Sequence, residues 1–180
     1  GTVYKNINKT YMVRKIEKRL KRLQKQVSRK YEKNKKGKEY VKTKNIIKLE
    51  KQIQQVHRRL ANIRNNYLHQ TTTNIVKTKP YRVVIEDLAV SNMMENKHLS
   101  DAIRKQGFSE FRRQLEYKCN FRGIKLVVAD RFYPSSKSCS QCGKIKKDLK
   151  LKDRVYKCSC GLNIDRDLNA SINLSKYKSA

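Results

Sequence analysis

Acidic residues are scarce in this chain. Its 180 residues hold 15 Asp and Glu against 45 Lys and Arg, a net charge of +30. No aspartate occurs before Asp87. A compact body of this charge repels itself and needs a polyanion to neutralise it. Nucleic acid is the expected partner, and an anionic membrane surface is the weaker rival. No run is long and apolar enough to read as a membrane span. No lipidation motif and no secretory leader are visible in a sequence that starts at Gly1. The expectation is a cytoplasmic, nucleoid-associated protein with no membrane partner. Cysteine is also sparse, at five residues, and four of these form two close pairs. That usage suits a reducing compartment and a metal better than a disulfide framework.

The charge is unevenly spread. Residues 1–80 hold 24 basic and 4 acidic residues, a net +20, and residues 81–180 hold 21 and 11, a net +10. The first half reads as a cationic arm. Residues 1–10 read as the tail of a strand or hairpin. Val13, Ile16, Leu20, Leu23 and Val27 then recur at helical steps, and the polar run Asn34–Lys38 breaks the pattern. Ile46, Leu49, Ile53, Val56, Leu60, Ile63 and Tyr67 form a second seam, on a helix of roughly 40 Å. Two seamed helices with a short polar connection predict an antiparallel hairpin. Its cations are either a plain solvated face or a nucleic-acid surface. The scarcity of acid–base pairs along the helices favours the second.

Lys79-Pro80 ends the helical region. Tyr81–Leu88 reads as a buried strand, residues 91–98 as a loop, and Ser100 to about Tyr117 as one helix with Gly107 as a weak point. Ile124–Asp130 reads as a second buried strand, which completes a βαβ unit. A last helix is expected over 166–176. The domain reading is 1–80 as the basic helical arm, 81–132 with 163–180 as the α/β core, and 133–162 as an inserted cysteine module.

Cys139-x-x-Cys142 and Cys158-x-Cys160 are separated by 15 residues, and Gly143 and Gly161 follow the pairs. Such spacing lets paired sulfurs of two turns face one ion, with glycine easing the backbone beneath it. Four thiolates select zinc, and four protein ligands make that zinc structural rather than catalytic. Chance burial of thiols or a disulfide pair is the alternative. Cys119 stands apart and reads as a packed thiol.

The carboxylates point to a different metal. Glu86 falls near the end of a strand read as buried, where a charge is costly unless paired or bound to a cation. Asp165 and Asp167 precede the last helix, and either suits a cap. Singly, each is more often structural. Together with a basic arm and a zinc ribbon they suggest a two-metal phosphodiester site, with magnesium or manganese held by hard oxygens. His57 and His69, on the second helix, have no cysteine or carboxylate placed to join them, and His98, in a loop near Met93 and Met94, is assigned no role. Tyr133 and Tyr156 flank the cysteine module, where each could stack on a base or pack beneath the knuckle.

Several segments carry a family resemblance as an ordered set: Val84-Ile85-Glu86-Asp87-Leu88, Glu116-Tyr117-Lys118, Tyr133-Pro134-Ser135-Ser136-Lys137 leading to Cys139, and Cys158-Ser159-Cys160-Gly161 leading to Asp165-Arg166-Asp167-Leu168-Asn169-Ala170. The chain resembles the C-terminal part of a TnpB (OrfB) protein of insertion sequences, related to the RuvC nuclease of type V CRISPR effectors. The resemblance implies an α/β, partial RNase H-like (RuvC) fold with an N-terminal helical hairpin and an inserted zinc ribbon. It implies guide RNA and target DNA as partners, and magnesium-dependent cleavage. By position, Glu86 is the second catalytic carboxylate and Asp167 the third, both as magnesium ligands, with Asp165 as alternate. Cys139, Cys142, Cys158 and Cys160 are the zinc ligands.

The family's first catalytic aspartate, in a Gly-Ile-Asp-type strand, has no counterpart before Asp87. The expectation is a piece of a longer nuclease, completed by the missing N-terminal part, that binds nucleic acid but does not cut alone. The rival readings are a nuclease-inactive nucleic-acid-binding or regulatory protein on the same fold, and a zinc-ribbon scaffold for protein partners. Retained Glu86 and Asp167 favour the nuclease for the parent protein, and the charge argues against the scaffold.

Overall fold

A computed structural model of the chain describes residues 2–150 and 152–178. A short 3-10 turn at Ile7–Lys9 leads into α1, Tyr11–Lys33. The strand or hairpin tail expected over residues 1–10 is therefore replaced, where described, by this turn. Asn6 accepts a hydrogen bond from the N–H of Asn8 and starts it. A two-residue hairpin follows, β1 Lys35–Lys36 against β2 Glu39–Tyr40, turning at Gly37 with φ +60°. The sequence reads as plain polar coil there, because four exposed residues carry no apolar alternation.

Helix α2 runs from Lys44 to Lys77, about 51 Å at 1.5 Å per residue. It is longer than the seam ending at Tyr67 suggested, because the Thr71–Thr73 run stays helical. Thr72 is buried, and its hydroxyl is within hydrogen-bond reach of the Leu68 carbonyl, a helix-compatible way to satisfy it. Tyr31 meets Glu50 near one end of α1 and Glu17 meets Arg64 nearer the other, so the two helices run in opposite directions. Val13, Ile16, Leu23, Val56 and Leu60 form the core between them.

The second core lies where the far end of α2 meets the α/β part. Strand β3, Arg82–Glu86, pairs in parallel with β4, Lys125–Ala129, from Arg82 opposite Lys125 to Glu86 opposite Ala129. The crossover holds α3 Val90–Glu95, α4 Ser100–Gln106 and α5 Phe108–Phe121. Residues 91–98 are thus largely helical rather than a loop, and the single helix from Ser100 is two. Gly107 separates them with φ +67°, and an added Cβ there would lie 3.1 Å from Leu68. Val76, Leu115, Cys119 and Ile124 are the buried centre of this region. Burial raises the Cys119 thiol pKa, in keeping with a packed, inert cysteine.

Neither end of β3 is deeply covered. Arg82–Ile85 are half-buried and Glu86 is exposed, against the expectation of a buried strand. The cause is that the sheet has two strands among the described residues, so each strand keeps an open edge. The cysteine segment contains β5 Val155–Lys157 antiparallel to β6 Asn163–Asp165, and α6, Arg166–Lys176, follows directly. No helix among the described residues is long and apolar enough to cross a membrane.

Candidate metal centre and carboxylate groove

Two turns build the thiol cluster. Gly143 N–H donates to the Cys139 carbonyl and Gly161 N–H to the Cys158 carbonyl. Both glycines have positive φ, at 75° and 93°, which other residues rarely adopt. The four Sγ atoms lie within 4.8 Å of one another, with Cys139–Cys160 and Cys142–Cys158 each at 3.6 Å. That is far beyond the roughly 2.05 Å of a disulfide. It is close to the edge of about 3.8 Å of a tetrahedron with 2.3 Å metal–sulfur bonds.

The thiols influence one another strongly. The Cys160 N–H pulls the Cys158 thiol down to about 6. The Leu162 N–H favours a Cys160 thiolate, yet burial and the neighbouring sulfurs push that thiol up to about 12. Four negative sulfurs this close are not stable without a cation between them. Beneath them Tyr156 is fully buried, and its hydroxyl lies 3.1 Å from the Lys137 carbonyl. Tyr156 therefore packs under the turns, and its ring cannot stack on a base. Tyr133 is half-buried and edge-on to Tyr177 at 4.9 Å.

Glu86, at the end of β3, accepts a 2.5 Å hydrogen bond from Ser135 Oγ. Ser135 is buried, and its carbonyl accepts from Asn173 Nδ2 at 2.7 Å. Asn173 also donates to the Ser138 carbonyl at 2.8 Å, and Asn169 donates there at 2.6 Å. Asn169 Oδ1 accepts from the Ser140 N–H. One face of α6 thus reads the backbone leading into Cys139 through two buried asparagines four residues apart. The chain of bonds from α6 through Ser135 ends on Glu86. Ser135 and Asn169 fall within segments that carry the resemblance, but the sequence reading assigned no role to either, nor to Asn173. The i, i+4 spacing of two asparagines on an otherwise apolar helix face was the available signal.

Asp165 is the N-cap of α6. Its Oδ1 accepts from the N–H groups of Asp167 and Leu168, at 2.9 and 3.0 Å. Asp167 sits in the first turn with its side chain 74% exposed, 3.5 Å from an Arg166 nitrogen. Glu86 and Asp167 line one open groove of about 1090 Å³, together with Arg112, Arg131 and Arg166. Asp87 turns away from that role: its carboxylate takes Arg131 at 2.7 Å and Arg112 at 3.6 Å. It holds two guanidinium groups at the groove's edge. Glu116 also lines the groove but is paired with Arg112 at 2.9 Å, which leaves the carboxylates at 86 and 167 as oxygen donors of the kind hard cations accept. His57, His69 and His98 are exposed and join no metal-binding group among the described residues.

Residues 108–174 match the family model described as Cas12f1-like, TNB domain. A protein of Streptomyces pristinaespiralis, named as a candidate RNA-guided DNA endonuclease, is 42% identical over 130 residues, which cover 72% of this chain and 32% of that protein. The similarly named InsQ of Escherichia coli (strain K12) is 34% identical over 190 residues, 97% of this chain and 44% of that protein. The chain therefore spans from about a third to under a half of the length of these relatives. Among solved structures, Cas12f1 in a cryo-EM complex with sgRNA and target DNA matches with a TM-score of 0.58 and 24% identity, over 74% of this chain and 39% of that one. That likeness concerns the fold.

Proposed function

We propose that this chain, which belongs as a part to the TnpB-like family, carries the nuclease portion of an RNA-guided DNA endonuclease. In this reading the α/β region is a partial RNase H-like (RuvC) fold and the thiol cluster is a structural zinc ribbon. The single observation that supports it most is the shared groove of Glu86 and Asp167, which come from β3 and α6, 81 residues apart.

The proposed roles follow from the chemistry of the groups. Glu86 and Asp167 hold magnesium or manganese. A bound ion of that kind would stabilise the charge that builds on the attacking and leaving oxygens of a phosphodiester. Ser135 Oγ fixes one oxygen of Glu86 and leaves the other for a cation. Asp165 is committed to the helix cap, so Asp167 is assigned the metal. Arg131 and Arg112, held by Asp87, orient the scissile phosphate, since guanidinium groups suit phosphate geometry. The cationic faces of α1 and α2 bind guide RNA and target DNA by phosphate contacts. The protein acts in the cytoplasm, at the nucleoid. A two-metal site also needs a bridging carboxylate, which we assign to a segment outside these 180 residues.

The test has two arms. The purified chain should bind RNA and DNA with a steep salt dependence, losing orders of magnitude between low and physiological salt. It should not nick DNA with magnesium. Co-expressed with an upstream segment carrying a Gly-Ile-Asp-like strand, it should cut, and Glu86→Gln or Asp167→Asn should abolish cutting. Magnesium-dependent nicking by the 180-residue chain alone, lost on Glu86→Gln, refutes the incomplete site. Binding with no cutting in the reassembled protein favours the nuclease-inactive alternative.

A further inference from the structure

The sheet has a second end. At the N-terminal ends of β3 and β4, opposite the carboxylate groove, the α2–β3 and α5–β4 connections enclose a cleft of about 660 Å³. Lys79, Arg122 and Lys125 line it, and no acidic residue does. None of the three makes an ion pair among the described residues, a state they share with most Lys and Arg of this chain, so their charge is free to meet a ligand without being by itself distinctive. One cation at each helix C-terminus would complement the helix dipole. That accounts for Arg122, which caps α5, but not for Lys125 on the strand.

Two features are unusual at this place. Tyr81 also lines the cleft, with 88% of its surface exposed. Lys79, two residues before it, has φ +48°, and it is the one non-glycine in the left-handed region among the described residues. A lysine rarely adopts that conformation, and here the turn it makes carries Pro80 and Tyr81 into the open. Unpaired cations beside an exposed aromatic ring suit a nucleic-acid strand whose bases are unstacked. A duplex offers phosphates but no free base face.

We infer that this cleft is a second nucleic-acid site, which takes a single-stranded segment with phosphates on Arg122 and Lys125 and a base stacked on Tyr81. Lys125 is four residue steps, about 13 Å, along β4 from Ala129, the residue paired with Glu86. The cleft is therefore separate from the carboxylate groove.

The chain contains no tryptophan, so Tyr81→Trp installs a sole indole reporter at an exposed position. The variant, checked by circular dichroism, is titrated at physiological salt with unlabelled 12-nucleotide single strands, ribo and deoxy, and with a duplex of the same sequence. The expected result is saturable quenching of the indole fluorescence by single strands and at least tenfold weaker quenching affinity for the duplex. The ribo or deoxy strand that binds more tightly identifies the nucleic acid served. In the same background Arg122→Glu with Lys125→Glu should weaken the quenching affinity at least tenfold. No quenching, equal response to the duplex, or quenching indifferent to the charge reversal overturns the site. Overall nucleic-acid binding that persists while the indole reporter stays silent would leave the nuclease reading intact and remove only this inference.

Discussion

The thiol cluster, whose four sulfurs are placed to hold one ion, and the carboxylate groove are arrangements of opposite character. The four sulfurs come from 22 consecutive residues, on two turns that each close with their own backbone hydrogen bonds. The groove's donors come from a strand and a helix 81 residues apart, and its arginines come from α5, α6 and the segment after β4. The first is complete within its own segment. The second exists only when α6 is docked, and that docking runs in large part through the backbone of the ribbon, beside a direct bond from Arg82 to the Ser175 carbonyl. The cluster should therefore survive damage to the core, while the groove should not survive damage to the cluster.

The largest expected effect comes from removing ligands. Cys142→Ser with Cys158→Ser should cost the chain its thiolate-bound metal, read by metal analysis of purified protein. Structural zinc contributes on the order of 10 kcal/mol to the folding of its own module. Hydrogen exchange should therefore rise throughout 133–165 and spread to α6, with little change at Leu60 or Val56. Protection retained in α6 would break the asymmetry just described.

Next is Leu115→Ala, at a position with no exposed surface. It should destabilise the α/β core by about 2–5 kcal/mol in denaturant melts. Thiolate-to-metal charge-transfer absorption of the cobalt-substituted ribbon should persist in folded protein. A lost cobalt spectrum would mean that the ribbon depends on the core after all.

Asn173→Ala sharpens the link itself. It removes the donor to the buried Ser135 carbonyl and one of the two donors to the Ser138 carbonyl, and should cost about 1–3 kcal/mol. Exchange of α6 amides should speed up while the metal content of the ribbon is unchanged. Equal stability would mean that the asparagines are not what holds helix to ribbon.

The smallest effect concerns Glu110, held down to about 2 by Arg113 and, secondarily, by the Gln114 amide. A carboxylate with a depressed folded-state pKa adds stability above its ordinary value near 4.5, and that stability is lost as pH falls toward 2. Both partners are partly exposed, with side-chain accessibilities of 63% and 31%, which limits the gain. Glu110→Gln should lower Tm by about 2 °C at pH 7, and the difference from the parent chain should vanish in scans near pH 2.

What could be read in advance follows the same division. Periodic Val13, Ile16, Leu23, Val56 and Leu60 announced their helices, because a helix face repeats along the chain. The cysteine spacing announced its cluster for the same local reason. Residues 91–98 did not announce α3, since a six-residue helix with no buried residue has no face to mark it. The split at Gly107 was visible as a weak point, but the close approach of Leu68 was not. Asp165 and Asp167 were interchangeable on paper, because either could cap a helix.

By itself the sequence determined the charge, the two helical seams, the parallel strands around a crossover and the four-thiol spacing, all of which are properties of neighbours along the chain. Only the tertiary structure decided that Asp165 caps while Asp167 faces open space, that Glu86 is exposed and tethered to Ser135, and that Tyr156 lies buried under the sulfurs. Those facts depend on which surfaces α6 and the ribbon bury against each other. That choice is set by hydrogen bonds between residues some thirty to fifty positions apart, which no local pattern encodes.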